Sequence, residues 1–242
     1  MENIFSRVEL LIGEEGIYLL KHKHVAIFGI GGVGSYVAEA LVRAGIGTLT
    51  LIDYDRISIS NINRQIHATI DTVGELKVEA MEKRLKSINP DAEIFKVANK
   101  YTKENGEDFF YIHYDYIVDA IDMVTSKIDL IVRAQKNRIP IVSSMGTGNK
   151  LDPTQLKVSD IFKTDTCPLA KVMRKELKNR GVKNLKVIYS SEIPIVPRQL
   201  NHPSDDEVQR RITPGSISFV PSTAGLIIAS VVVNDLLKSG QI

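Results

Sequence analysis

The residues with the most chemical content begin at Gly29-Ile-Gly-Gly-Val-Gly34, a G-x-G-x-x-G string. Such a string holds phosphate where it closes a strand and opens a helix, because the helix N-terminus then offers unpaired N–H groups to an anion. Gly29 permits the tight turn, Gly31 and Gly32 let the backbone approach a phosphate, and Gly34 lets the helix sit close to the strand. About twenty residues on stands Asp53, where an acidic side chain hydrogen-bonds ribose hydroxyls. To this point NAD and ATP fit equally well. The segment Asp53-Tyr-Asp-Arg-Ile-Ser-Ile-Ser-Asn-Ile-Asn-Arg-Gln65 then adds Asp55, Asn61, Arg64 and Gln65, and Lys77 follows on the next helix. An arginine and a lysine converging on a glycine turn suit a triphosphate better than a nicotinamide. Asp122 comes at the end of a later strand, on the carboxyl edge where open α/β sheets bind ligands, and is placed to hold Mg²⁺ bridging the phosphates.

The elements that must position these groups are legible in the apolar pattern. His24-Val-Ala-Ile-Phe-Gly-Ile30 reads as a strand buried on both faces. A helical pattern runs from Ser35 to about Ala44, where Gly45 and Gly47 break it, and Thr48–Ile52 reads as a second strand. The alternation continues with a helix at Val73–Ser87, strands at Glu93–Ala98 and Tyr116–Ala120, a helix at Ser126–Asn137 and a strand at Pro140–Ser144. Strands alternating with helices predict an α/β fold, a Rossmann-like doubly wound and mostly parallel sheet. Beyond about Gly148 the pattern changes. Leu156–Val158 and Leu185–Ser190 read as strands, Pro168–Arg180 and Leu226–Leu237 as helices, and Ile193–Ser216, with four prolines, as a long surface loop. We expect a single domain over 1–242, with a nucleotide-binding core at 1–150 and a C-terminal elaboration and substrate-facing loop at 151–242.

Composition narrows the function. Of 242 residues, 43% are hydrophobic and 25% charged, which excludes a disordered or collagen-like chain. The net charge of +2 supplies no global field, so any nucleic-acid contact must be a local patch. The single cysteine excludes an internal disulfide framework and a multi-cysteine zinc site. Glu2, Glu9, Glu14 and Glu15 make the first twenty residues too acidic for a targeting peptide, and the apolar stretch Gly225–Val233 is too short to span a bilayer, so a cytoplasmic protein without a membrane contact is expected.

The combination of glycine turn, Asp53, Asn61/Arg64/Gln65, Lys77 and Asp122 resembles the ThiF/MoeB superfamily, the ubiquitin-activating-enzyme-like adenylating fold. The resemblance implies ATP·Mg²⁺ as the bound species and attachment of AMP to a carboxylate. It implies that Asp53 holds the ribose, that Asn61, Arg64 and Lys77 hold the phosphates and that Asp122 assists Mg²⁺. It further implies a homodimer in which Arg7 completes the partner's site. A narrower resemblance covers nearly the whole chain. Gly31–Ser35, Asn61–Gln65, Val118-Asp-Ala-Ile-Asp122, Ser144-Met-Gly-Thr-Gly-Asn-Lys-Leu-Asp-Pro153 and Pro168-Leu-Ala170 look like the tRNA threonylcarbamoyladenosine dehydratases. Their activity would be ATP-dependent cyclisation of threonylcarbamoyladenosine next to the anticodon of tRNA.

The helix from Pro168 carries Lys171, Arg174, Lys175 and Lys178 at spacings that place all four on one face. With that resemblance, this face is the expected tRNA phosphate contact. Cys167 is the one candidate thiol; since dehydration needs none, it reads as a helix-flanking residue, and His67 and His113 read as structural. A competing enzyme reading is an adenylyltransferase for a ubiquitin-like sulfur carrier, with sulfur-transfer partner proteins. Outside that superfamily's chemistry, a non-catalytic nucleotide-binding scaffold and an NAD-dependent oxidoreductase also fit a glycine turn followed by a strand-end acid.

Overall fold

The computed structural model describes residues 3–198 and 214–239. The expected loop at Ile193–Ser216 therefore lies largely outside the described residues. Six helices and seven strands make up the regular structure of that part: α1 (Ser6–Lys21), β1 (His24–Phe28), α2 (Gly34–Ala44), β2 (Thr48–Ile52), α3 (Lys77–Ile88), β3 (Glu93–Val97), β4 (Tyr116–Asp119), α4 (Val124–Lys136), β5 (Ile141–Ser144), β6 (Leu156–Asp160), α5 (Pro168–Asn179), β7 (Lys186–Ser190) and α6 (Phe219–Ser239).

The seven strands form one sheet in the order β3-β2-β1-β4-β5-β7-β6. All neighbours are parallel except β6, which runs antiparallel to β7 at one edge. This is the expected α/β, doubly wound, mostly parallel sheet. Strands β1, β2, β4 and β5 are buried on both faces, which explains their unbroken apolar sequences. One face packs under α2, α3 and α6, around Val37, Leu41, Met81 and Ile228. The other packs under α4 and α5, around Phe28, Ile131, Met173 and Leu177. The chain winds from β1 outwards to β3, then returns to add β4 on the other side of β1. The carboxyl ends of β1 and β4 thus diverge at a topological switch point, where such sheets open a crevice.

Three expected boundaries move, each for a physical reason. Helix α3 begins at Lys77 instead of Val73, because Gly74 takes a positive φ of 92° and its N–H donates to the Ile57 carbonyl. The Ile57 N–H in turn donates to the Glu75 carbonyl and Leu76 bridges Arg56, so the turn at 73–74 and the residues after it are tied to this segment instead of joining the helix. Helix α6 begins at Phe219, ahead of the apolar pattern, since Pro221 falls in the first turn where proline is tolerated. The apolar stretch is correspondingly longer than Gly225–Val233: the 21-residue helix is long and apolar enough to cross a membrane, yet half of its most apolar part is buried inside this fold. Strand β4 ends at Asp119, so Asp122 stands in the loop after it.

Candidate active site

The turn between β1 and α2 is set by close packing. Gly29 has φ 92°, and a Cβ there would lie 2.6 Å from the Ala120 carbonyl oxygen. A Cβ on Gly34 would lie 1.8 Å from the Gly29 carbonyl oxygen, so this position admits glycine alone without a backbone shift. Helix α2 can therefore start directly on the strand. A Cβ on Gly31 would meet only Gln65 Nε2, at 3.9 Å, which leaves the turn's N–H groups approachable from the cleft.

That cleft has a volume of about 360 Å³ and lies at the switch point. Gly29, Gly31, Gly32, Asp53, Asp55, Asn61, Arg64, Gln65, Lys77 and Asp122 all line it. Residues far apart in the chain are thus brought to one opening, as the spacing of the motifs anticipates. Gly34 lies behind the lining and acts through packing.

Asp53, just past the C-terminal end of β2, organises the floor. Its Oδ2 accepts from the Ile30 N–H at 2.7 Å and its Oδ1 from the Asp55 N–H at 2.9 Å. Burial raises its pKa above the ordinary carboxylate value, and the nearby Lys77 charge offsets only part of that rise. Each carboxylate oxygen retains an acceptor direction for a ribose hydroxyl. Lys77, the first residue of α3, is almost fully buried, with its Nζ 2.6 Å from Asp55 Oδ2 and 3.8 Å from Asp53 Oδ1. Arg64 is half-buried; its Nη1 donates to the Ser60 carbonyl at 2.7 Å and to Asn63 Oδ1 at 3.0 Å. It makes no ion pair among the described residues, so its charge is uncompensated at the cleft. Asn61 closes the short 3₁₀ turn Ile59–Asn61 by accepting from the Ser58 N–H at 3.0 Å. Gln65 is buried, and its Oε1 has no hydrogen-bond partner. An unpaired acceptor beside the glycine turn is suited to a donor on a bound ligand.

Asp122 is exposed in the cleft lining and forms no ion pair among the described residues. Two features of this wall of the cleft have no role assigned from the motifs. The first is Asp119, which pairs with Lys127 at 2.9 Å, both fully buried. A signal for it exists: Lys127 shares a helical face with Ile131 and Ala134, and a lysine on an apolar face demands a carboxylate. The second is Lys100, whose Nζ lies 5.2 Å from the centre of the Tyr54 ring, with both residues lining the cleft. No spacing pattern marks them.

The rim is completed by the Ser144–Pro153 stretch. Thr147 and Ser216 line the cleft. Asn149 binds Gly215 twice, through its N–H to the Gly215 carbonyl at 2.8 Å and through Oδ1 from the Gly215 N–H at 2.6 Å. Asn63 Nδ2 donates to the Ser216 carbonyl at 3.0 Å.

Other expected residues lie elsewhere. Arg7 is exposed on α1, ahead of a kink at Gly13, and does not line the cleft of its own chain. On α5 the buried stripe is Ala170, Met173 and Leu177, which leaves Lys171, Lys175 and Lys178 exposed. Arg174 departs from that face: it is half-buried, and its guanidinium donates to the Thr164 carbonyl at 2.8 Å. Cys167 is buried at the N-cap of α5, where its thiol makes no capping hydrogen bond. His67 is buried with neither ring nitrogen hydrogen-bonded.

The ThiF family model matches residues 5–241. The chain is 47% identical to the Bacillus subtilis tRNA threonylcarbamoyladenosine dehydratase, over 98% of this chain and 96% of that protein. Its fold is similar to the crystal structure of the Escherichia coli tRNA N6-threonylcarbamoyladenosine dehydratase in complex with AMP, with a TM-score of 0.88, 35% identity and coverage of 97% of this chain and 94% of that one. The same E. coli enzyme in complex with ATP matches with a TM-score of 0.87 and 34% identity, at the same coverage. Sequence and structure agree over nearly the full length, and the chain belongs to the ThiF family.

Proposed function

We propose that this protein is a cytoplasmic, ATP-dependent tRNA threonylcarbamoyladenosine dehydratase. The observation that carries the reading is the cleft itself, where Arg64, Lys77, the glycine turn and Asp122 line one opening. Relatives that share nearly the whole chain and bear that activity in their names support the choice of substrate.

The chemistry asked of the protein is positioning and charge neutralisation. A free carboxylate is a poor electrophile. In the first step a carboxylate oxygen of the threonyl group attacks the α-phosphorus of ATP, the bond to the β-phosphate breaks and pyrophosphate leaves. In the second, a nucleophile of the neighbouring carbamoyl linkage attacks the acyl carbon, loses its proton, and AMP departs as the ring closes. The carboxylate oxygen leaves on AMP, so the nucleoside loses the elements of one water. Closure within one molecule lowers the barrier by up to roughly 7–11 kcal/mol relative to a bimolecular step.

The residues divide that work. The Gly29–Gly34 turn and the N-terminus of α2 receive phosphate oxygens, and Asp53 faces the ribose. Arg64 and Lys77 balance charge on the phosphates, and such donors are worth about two to three powers of ten each in a dry site. Asn61 shapes the loop that carries Arg64. The Gln65 acceptor faces the ligand. Asp122, a carboxylate without a cationic partner among the described residues, suits Mg²⁺, which takes one or two carboxylates with the rest of its shell from phosphates and water. Asp122 would hold such an ion, whose chemistry would be neutralisation of phosphate charge. The exposed Lys171, Lys175 and Lys178 provide a backbone contact for tRNA.

The working unit is a homodimer. Leu10, Leu11 and Tyr18 are 78%, 85% and 68% exposed on α1, an apolar surface suited to a second copy, and Arg7 lies on the same helix. Stoichiometry tests the proposal: purified protein should form one AMP per modified nucleoside converted, and none with tRNA lacking threonylcarbamoyladenosine. AMP formation independent of that nucleoside would refute the substrate.

A further inference from the structure

A buried ion pair grips the backbone of one residue in the cleft wall. Lys127 Nζ lies 2.9 Å from Asp119 Oδ2 and donates to the Ile121 carbonyl at 3.0 Å. The Ile121 N–H donates to Asp119 Oδ1 at 3.2 Å. Ser143, on the adjacent strand β5, donates its hydroxyl to Asp119 Oδ2 at 2.6 Å. One carboxylate and one ammonium, both fully buried, thus hold both polar groups of the Ile121 backbone.

We infer that the Asp119–Lys127 pair is a positioning device that sets the Asp122 carboxylate against the glycine turn. The inference deepens the proposed function and rests on it for the role of Asp122. Two observations set the pair apart from a purely stabilising one. A buried ion pair is a poor source of stability, because desolvation of both charges cancels most of their attraction and an apolar pair of similar volume serves as well. The location is also specific. Asp119 ends β4 at the switch point, and the residue it holds lies next to Ala120, whose carbonyl packs where a Cβ on Gly29 would fall. The Ala120 N–H is fixed in turn by the Phe28 carbonyl at 2.8 Å. The phosphate turn and the backbone that leads to Asp122 are therefore packed together at Ala120, and the pair fixes that backbone one residue before Asp122.

The test is the double variant Asp119→Asn/Lys127→Met, which removes both charges together and leaves no unpaired ion in the core. Asn retains the acceptor for Ile121, while Met removes the donor to its carbonyl. Hydrogen exchange across 120–123 should accelerate by about tenfold or more with the thermal midpoint close to wild type. For AMP formation, kcat should fall about tenfold or more, KM for ATP should change by less than about threefold, and the half-saturating Mg²⁺ concentration should rise. In an Asp122→Asn background the same double variant should add less than about a twofold loss, because both changes act through one group. Unchanged exchange with kcat and Mg²⁺ dependence within about twofold of wild type would overturn the inference, as would losses that simply multiply with Asp122→Asn. If the double variant does not fold, Ser143→Ala keeps both charges and removes one support; faster exchange at 120–123 with lower kcat supports the role, and no change in either overturns it. Exchange is read without tRNA, so an absence of dehydration by the wild-type protein would refute the proposed function while the exchange result still judges the pair.

Discussion

The Lys77 ammonium lies 2.6 Å from the Asp55 carboxylate and 3.8 Å from that of Asp53, so one buried cation faces two acids on the floor of the cleft. A phosphate entering that floor competes with Asp55 for Lys77, and Arg64 supplies a second cation from the facing loop. Lys77→Ala and Arg64→Ala should each lower kcat/KM for ATP by about a hundredfold or more. Arg64→Ala should keep a thermal midpoint near wild type, since Arg64 is half-buried and its hydrogen bonds to Ser60 and Asn63 are local. Retained turnover in both variants would remove the phosphate assignment. Steady-state kinetics and a thermal melt measure these outcomes.

The turn makes a steric prediction. Gly34→Ala puts a Cβ 1.8 Å from the Gly29 carbonyl oxygen, a distance no rotamer relieves. The variant should lose stability by about 1–3 kcal/mol or more and should not bind ATP even where it remains folded. Denaturant titration with and without nucleotide reads both effects. Gly31→Ala, whose Cβ meets nothing nearer than 3.9 Å, should fold normally and weaken ATP binding alone.

The α5 surface separates two kinds of cation. Replacing Lys171, Lys175 and Lys178 with Glu should weaken tRNA binding and flatten its salt dependence, by about one unit of log–log slope for each phosphate no longer neutralised. Arg174→Ala should act otherwise, lowering stability because its bond to Thr164 is gone and leaving the salt slope in place. Filter binding across a salt series decides between them.

His67 gives a pH signature. Burial, assisted by the charges of Lys77 and Arg84, lowers its pKa to about 4. A histidine depressed in the folded state binds its proton more readily when unfolded, so stability falls as pH drops below its ordinary value near 6.5 and levels off below about 4. Between about pH 7.5 and 5 the loss should be about 2 kcal/mol. His67→Gln should remove that slope, measured by urea unfolding at each pH; an unaltered slope would place the acid sensitivity in another group.

Dimer function has its own test. Arg7→Ala and Lys77→Ala should each be inactive alone. When the two are mixed and allowed to exchange subunits, up to about a quarter of wild-type activity should return, because half the dimers then hold one intact composite site. No recovery despite demonstrated exchange would show that Arg7 does not complete the partner's site.

What is legible in the sequence depends on what signals each feature. Gly29–Gly34, Asp53, Arg64 and Lys77 announce themselves because their chemistry is tied to fixed spacing from strand ends, and the structure brings the cleft-lining members of this set together. The central strands announce themselves because burial on both faces leaves no polar residue to break the run. Apolar periodicity starts α3 too early because it cannot register the turn at Gly74 or the backbone bonds that tie 74–76 to Arg56 and Ile57. It starts α6 too late because proline and glycine read as breakers when their position within the helix is unknown. Periodicity puts Arg174 on the surface, whereas a partner from the preceding loop, Thr164, turns it inward. The role of Asp119 goes unread for a related reason: although it stands within the Val118–Asp122 string, its pairing with Lys127 is a tertiary fact, visible once β4 and α4 are laid side by side.

The decisive measurement is nucleoside mass spectrometry after incubation of the protein with ATP, Mg²⁺ and tRNA carrying threonylcarbamoyladenosine. This nucleoside should lose the mass of one water, the loss should require ATP, and Lys77→Ala should abolish it. An unchanged nucleoside mass under conditions where the protein binds ATP would contradict the dehydratase assignment.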